Sequence, residues 1–524
     1  MTSANMARRF DAAMSGGDAP ARRLGRAVAA TLALVALAVG VGAATANQPV
    51  LAISATLAGL AGAVLAIRPD AAAILVVALI YSNAPVVMVT FHDMPVAIAA
   101  AVPAILAAPL AYDLLVRRDK VIIAPAVPWI ALYFVVEIVA TLLARDVPGA
   151  ADTLETIAVE GVGLFLLLTN AIRSISILRA IIWTLLIVGA ILGTLSVYQY
   201  VTGTFGSNYF GFAQTESSVT GLTSTGVERL AGPIGEKNRY AQIMLMLVPI
   251  GFMTFTVERR VWLRLAALGA TALCAMAMAL TFSRGAAVAA VVVAATMVVL
   301  RIIRIRYVLA GLAIAAVVFV AIPEYGTRVL TLASVSDILS DEGVGSNADN
   351  SLLSRATENL TAINVFADHP IVGVGPGQFS DYYREYADEI GLSVRAQDRE
   401  AHSLYLGLAA EAGVLGAGAF FIAVAVTLGA LERARRAARH RPELAVVASG
   451  FLLALIAYLA SGLFLHLSYA RYFWLMLALG AVAAGLVQKA LAESGSAASS
   501  GGTRGRGAEA ALPNARPYAA PEPT

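Results

Sequence analysis

The chain has 524 residues, of which 59% are hydrophobic and only 14% charged, with a mean hydropathy of +0.77. Soluble domains carry about 25% charged residues, so this composition excludes an ordinary soluble enzyme and points to a polytopic membrane protein. The net charge of +3 gives no sign of a nucleic-acid partner, and the single cysteine, Cys274, lies in an apolar run. That excludes an intrachain disulfide and a thiolate metal site.

Residues 1–26 are polar and basic (Arg8, Arg9, Arg22, Arg23, Arg26) and read as a disordered cytoplasmic lead. Residues 27–200 hold seven apolar runs, near 27–46, 50–67, 71–91, 95–116, 121–144, 157–171 and 180–200. About 20 apolar residues cross the hydrocarbon core, and the first run is too long for a typical cleaved signal peptide. A loop rich in Gly, Ser and Thr, 201–239, leads into four more runs within 240–322 (240–257, 262–282, 286–300 and 307–322). A long polar segment, 323–401, follows. Residues 402–487 hold the last three runs (402–431, 444–465 and 469–487), and 488–524 read as a disordered cytoplasmic tail. The expected fold is therefore all-α: a polytopic transmembrane helix bundle of about fourteen spans, with a long extracytoplasmic loop containing short helices.

The basic residues fix the expected orientation. With the N-terminus in the cytoplasm, the inner loops fall at Arg68, Arg117–Lys120, Arg173–Arg179, Arg259–Arg264, Arg301–Arg306 and Arg433–Arg441. These are the basic loops, as the positive-inside rule requires. The same assignment puts loops 201–239 and 323–401 outside and gathers Arg229, Arg239, Arg284 and His402 at the outer face.

His402 stands at the mouth of an apolar helix, just after the long polar segment. A helix N-terminus carries roughly half a positive charge. It disfavours imidazolium and helps keep the ring able to accept a proton; the alternative is a histidine that only caps a span among lipid headgroups. Glu411 lies nine residues on, about 13 Å along the axis and half a turn out of phase, so it is expected to make a buried polar contact to a neighbouring helix near the outer half of the bilayer. Arg284, before Gly285, is either a headgroup anchor or a diphosphate clamp, for which the guanidinium fork is suited. The stretch Arg229 to Tyr240, with Lys237, Asn238 and Arg239 beside Gly232 and Gly235, is either a polar turn or an anion-binding entry.

In the long outer segment, Leu352 to Phe366 has helical spacing of Leu353, Ala356, Leu360 and Ile363, with Arg355 on a flank. It is expected to rest at the membrane surface. Gly373-Val374-Gly375-Pro376-Gly377 predicts a tight turn. Asp381 to Tyr386 offers tyrosines and carboxylates, either to sugar rings or to an interfacial belt. The chain contains no Walker loop, dinucleotide glycine fingerprint, zinc-protease helix or nucleophile elbow.

These residues, in this order, resemble the O-antigen ligase and polymerase superfamily of bacterial envelope enzymes. The resemblance is carried by His402-Ser403 followed by Glu411-Ala412-Gly413. Arg229 with Gly232, Gly235 and Asn238, Ser283-Arg284-Gly285, and Arg355 leading to His369-Pro370 and the glycine run support it. It covers about residues 225–480; the N-terminal half is similar only as a hydrophobic helix array. It implies a metal-independent, inverting glycosyltransferase without cofactor, in the bacterial inner membrane, with its active site facing the periplasm. The implied donor is a glycan on undecaprenyl diphosphate, gripped by Arg229, Arg284 and Arg355. The implied acceptor is lipid A core or another lipid-linked glycan, with relatives that use pilin. His402 is then the base or the group that orients the acceptor hydroxyl, with Asn238, Arg239, Ser403 and Glu411 in support.

A multi-span transporter of a small solute or lipid-linked glycan is the main alternative. It is expected to show polar or broken helices near the midplane, for which the candidates are Glu137, Asn83-Ala84-Pro85 and Asn170. A membrane scaffold, the third class, has no need of His402 and three outer arginines.

Overall fold

A computed structural model of the chain describes residues 68–96, 99, 102–115, 117–216, 218, 228–306, 309, 311, 347–390, 399–467 and 470–506. The expected lead and first two spans, and nearly all of the span at 307–322, lie outside these residues. The described chain is mostly helical. In order it forms α1 (Pro69–Ser82), α2 (Ala84–His92), α3 (Ala104–Leu115), α4 (Val127–Leu142), α5 (Val147–Thr156), a π-helical segment (Ile157–Gly163), α6 (Leu164–Ala171) and α7 (Ile175–Thr202). The two-stranded antiparallel ladder of β1 (Gln214–Thr215) and β2 (Leu230–Gly232) follows. Then come α8 (Lys237–Val257), α9 (Val261–Leu280), α10 (Arg284–Val299), α11 (Asn347–Asp368), α12 (Phe379–Ile390), α13 (Leu404–Ala437), α14 (Pro442–Ser461) and α15 (Ala470–Arg506).

Six of these, α7, α8, α9, α13, α14 and α15, are long and apolar enough to cross a membrane. The bent pair α1 and α2, 53° apart, makes a seventh if counted as one span. The expected fourteen thus reach beyond what the described residues show. Aromatic rings hold the C-terminal helices together: Phe420 of α13 stacks on Phe473 of α15 with centroids 4.9 Å apart, and Tyr133 of α4 meets Phe420 edge-on at 5.5 Å.

Two boundaries differ from expectation. The helix expected over 157–171 begins ten residues earlier, at Val147, because α5 is a polar first stretch that an apolar window does not register. The last helix runs to Arg506, past the expected tail boundary at 488. Ala490, Leu491, Ala492, Ala497 and Ala498 favour continued helix, so the tail expected from 488 is helical over its first part.

The glycine run after α11 is more than a turn. Helix α13 breaks at Gly413 (φ 61°, ψ −170°), which strips helical partners from nearby backbone groups. The N–H groups of Val374 and Gly375 donate to the carbonyls of Ala410 and Glu411 at 3.0 and 2.9 Å, and those of Val414 and Leu415 donate to Pro370 and Ile371 at 2.8 and 3.2 Å. The segment 370–375 is therefore wedged into the break and satisfies groups that lipid could not. Gly373 (φ 72°) has no room for a side chain: an added Cβ would lie 2.3 Å from the carbonyl carbon of Glu411, and one at Gly413 would lie 2.4 Å from that of Ile371. Gly373→Ala and Gly413→Ala are each expected to destabilise the protein by more than about 2 kcal/mol through positive-φ strain and overpacking. Thermal melting in detergent checks this; Gly418→Ala on the same helix, with open space around it, is expected to leave the melting point unchanged.

The wedge seats α11 and α12 on the start of α13. Helix α11 turns Ser354, Thr357, Glu358, Thr361, Ala362 and Val365 inward, while Leu360 and Ile363 are exposed. The apolar stripe legible in the sequence thus faces away from the protein and the buried face is largely polar. Two of the three tyrosines of α12 do not present open faces: Tyr383 is fully buried, and the guanidinium of Arg145 covers the Tyr382 ring at 4.1 Å while bonding Glu385 at 3.1 Å.

Candidate functional site

The starts of α8, α10, α13 and α15 and the end of α14 meet at one end of the bundle. Ser403 is the N-cap of α13, its Oγ accepting from the Leu406 N–H, so His402 lies just outside the helix rather than at its first turn. The Leu404 N–H donates to the Gly462 carbonyl at 2.8 Å, tying this start to the end of α14. His402 is half-buried, and its Nδ1 lies 2.6 Å from Oε2 of Glu358. That carboxylate, on α11, is only 1% exposed. Its Oε1 accepts from the Ser354 hydroxyl at 3.2 Å and lies 4.0 Å from the Arg399 guanidinium. A second histidine, His466, sits with its ring 6.1 Å from that of His402 and its Nδ1 against the Glu400 carboxylate.

Arg229, Arg284 and Arg355 come within Coulombic reach of one another. Burial lowers the proton affinity of the Arg229 guanidinium, and Arg284 and Arg355 lower it further against the pull of Glu216. Burial likewise lowers that of Arg355, with Glu358 opposing and Arg284 adding to the effect. Arginines remain cationic throughout, so these shifts report burial of the guanidinium groups first and like-charge crowding as a smaller part. Glu216 offsets part of it: its Oε2 is 3.5 Å from Nε of Arg229, and its Oε1 contacts the Lys237 ammonium. Ser283 caps α10 by accepting from the Ala286 N–H at 3.3 Å, which sets Arg284 at the helix start. Among the described residues no carboxylate lies within ion-pair distance of Arg284.

The other expected residues frame this site. Glu236 caps α8 by accepting from the N–H groups of Asn238 and Arg239 at 2.9 and 2.6 Å, and the Asn238 side-chain amide donates to it at 3.0 Å. Arg239 is directed inward, to Gln242 at 2.9 Å and to the His466 carbonyl at 2.6 Å, so it positions the His466 loop. Glu411 accepts from the Phe379 N–H at 3.4 Å and so steadies the start of α12. Glu358, Arg399, His466, Glu400 and Glu216 were not singled out from the sequence. Glu358 falls one helical turn after Arg355 and Ser354, and that i, i+3 and i, i+4 spacing is the signal that could have found it.

Two of the residues named for a carrier, Asn170 and Asn83, are engaged in structure. Asn170 bonds both backbone groups of Ile122, accepting at 2.8 Å and donating at 3.2 Å. Asn83 marks the break between α1 and α2, donating to the Pro233 carbonyl and accepting from Arg471, both at 2.8 Å. Glu137 is buried on α4.

Residues 269–421 match the family model for O-antigen ligase. The match supports placing this chain in the O-antigen ligase superfamily. The stretch that matches O-antigen ligase runs from within α9 to the middle of α13 and contains Arg284, Arg355, Glu358, His402, Ser403 and Glu411. Arg229, Asn238, Arg239 and His466 lie outside it and reach the site only through the fold. A search of curated proteins finds no match for the chain.

Proposed function

We propose that the protein is a metal-independent, inverting glycosyltransferase at the outer face of the bacterial inner membrane. It moves a glycan from undecaprenyl diphosphate to an acceptor hydroxyl, as an O-antigen ligase or a surface-polysaccharide polymerase. The observation that carries this reading is the placement of His402 at the same end of the bundle as three arginines that crowd one another's charge. Like charges so arranged suit a multivalent anion. Arg229, Arg284 and Arg355 take the donor diphosphate and stabilise the charge that builds on it as it leaves. An acceptor hydroxyl, on lipid A core or on another lipid-linked glycan, attacks the anomeric carbon. The new C–O bond forms as the bond to phosphate breaks, and the hydroxyl proton passes to His402.

Membranes of a deletion strain supply both donor and acceptor for a direct test. Purified protein in nanodiscs, incubated with their lipid extract, is expected to move glycan from the carrier to the acceptor at the same rate with and without EDTA. Inhibition by EDTA that added divalent metal reverses would contradict the metal-free mechanism. No transfer in either condition would contradict the enzyme reading.

A further inference from the structure

A buried carboxylate is retained only where partners compensate its desolvation, and those of Glu358 belong to the site. His402 Nδ1 is its closest contact at 2.6 Å, and Ser354 and Arg399 hold the other oxygen. Ser354, Arg355 and Glu358 lie within one turn of α11, and the Arg355 guanidinium feels the Glu358 charge. We propose that Glu358 is the positioning residue for His402, and that α11 sets the orientation of the base and the grip on the donor together.

The inference rests on the assignment of His402 as base. With Glu358 Oε2 2.6 Å from Nδ1, the proton of a neutral imidazole is favoured on Nδ1, and in that tautomer the Nε2 lone pair is open to the acceptor hydroxyl. When the proton arrives at Nε2, the carboxylate faces the imidazolium in a poorly hydrated setting and stabilises it. Because Arg355 stands on the same rigid turn, a donor seated on Arg355 fixes the distance from the anomeric carbon to the oriented ring. Glu358 touches no substrate in this account; it acts through His402.

The test is steady-state transfer with donor and acceptor extracted from the deletion strain. Glu358→Gln is expected to lower kcat by roughly 10²–10⁴-fold, as loss of an orienting carboxylate does elsewhere, with donor KM changed less than about threefold. Glu358→Asp restores part of kcat. Ser354→Ala, a milder change, lowers kcat several-fold at constant KM and constant melting temperature. In a His402→Ala background, Glu358→Gln is expected to cost less than about twofold more, because its effect runs through a ring already gone. A wild-type kcat in Glu358→Gln, or a full additional loss in the His402→Ala background, overturns the inference while leaving the base assignment standing. A wild-type rate in His402→Ala overturns that assignment, and this inference with it.

Discussion

Replacing His402 with alanine is expected to reduce glycan transfer by about 10²–10⁴-fold, the range that a lost general base produces, while protein level and membrane insertion stay at wild-type values. The second half of this expectation follows from the contacts. The ring is half-buried and touches the Glu358 carboxylate and the edge of His466. The start of α13 is held by other groups: the Ser403 cap and the bond from Leu404 to Gly462. Glu358 keeps the Ser354 hydroxyl and the Arg399 guanidinium on its Oε1 after the ring is gone. A headgroup-level cap would behave differently, since its loss would lower protein level and spare the rate per molecule. Transfer rate normalised to the purified protein separates the two.

The second large effect is expected at Arg284, where activity and stability should move in opposite directions. This guanidinium adds to the crowding felt by Arg229 and Arg355, and among the described residues no carboxylate lies within ion-pair distance of it. Arg284→Gln is therefore expected to leave the melting temperature unchanged or raised, because it relieves like-charge repulsion. It should also reduce kcat/KM by about 10²-fold, the scale for losing one preorganised donor to a developing anion. Arg284→Lys recovers the charge without the planar fork and should fall between. An arginine that merely snorkels to headgroups would show neither the gain in melting temperature nor a change in rate above about twofold. Melting curves and initial rates of the three proteins check this.

Much of the fold was legible because lipid imposes a simple demand: long apolar helices bounded by polar ends. The runs at 180–200, 240–257, 262–282, 402–431, 444–465 and 469–487 correspond to α7, α8, α9, α13, α14 and α15. The break at Gly413 was not legible, since a glycine in an apolar run looks like a close-packing residue until the segment 370–375 is seen wedged against it. Within the site, Arg229, Arg284 and His402 stood out as polar residues next to span ends, and Arg355 as a cation on the flank of a loop helix. Glu358 did not, because burial was inferred from apolarity and α11 inverts that rule, turning Leu360 and Ile363 out and Glu358 in. His466 and Glu216 were missed for another reason: their partners come from distant parts of the chain or across a loop, and spacing along a helix says nothing about them.

The central claim is that His402 serves glycan transfer from a lipid carrier, and glycan analysis of a deletion strain tests it most directly. The strain carries either the wild-type gene or the His402→Ala form, and surface glycan and lipid-linked intermediates are compared at matched protein level. The account predicts that wild type restores surface glycan and that His402→Ala leaves glycan on the carrier, as long chains for a ligase or single repeats for a polymerase. Identical glycans in the two strains would contradict it.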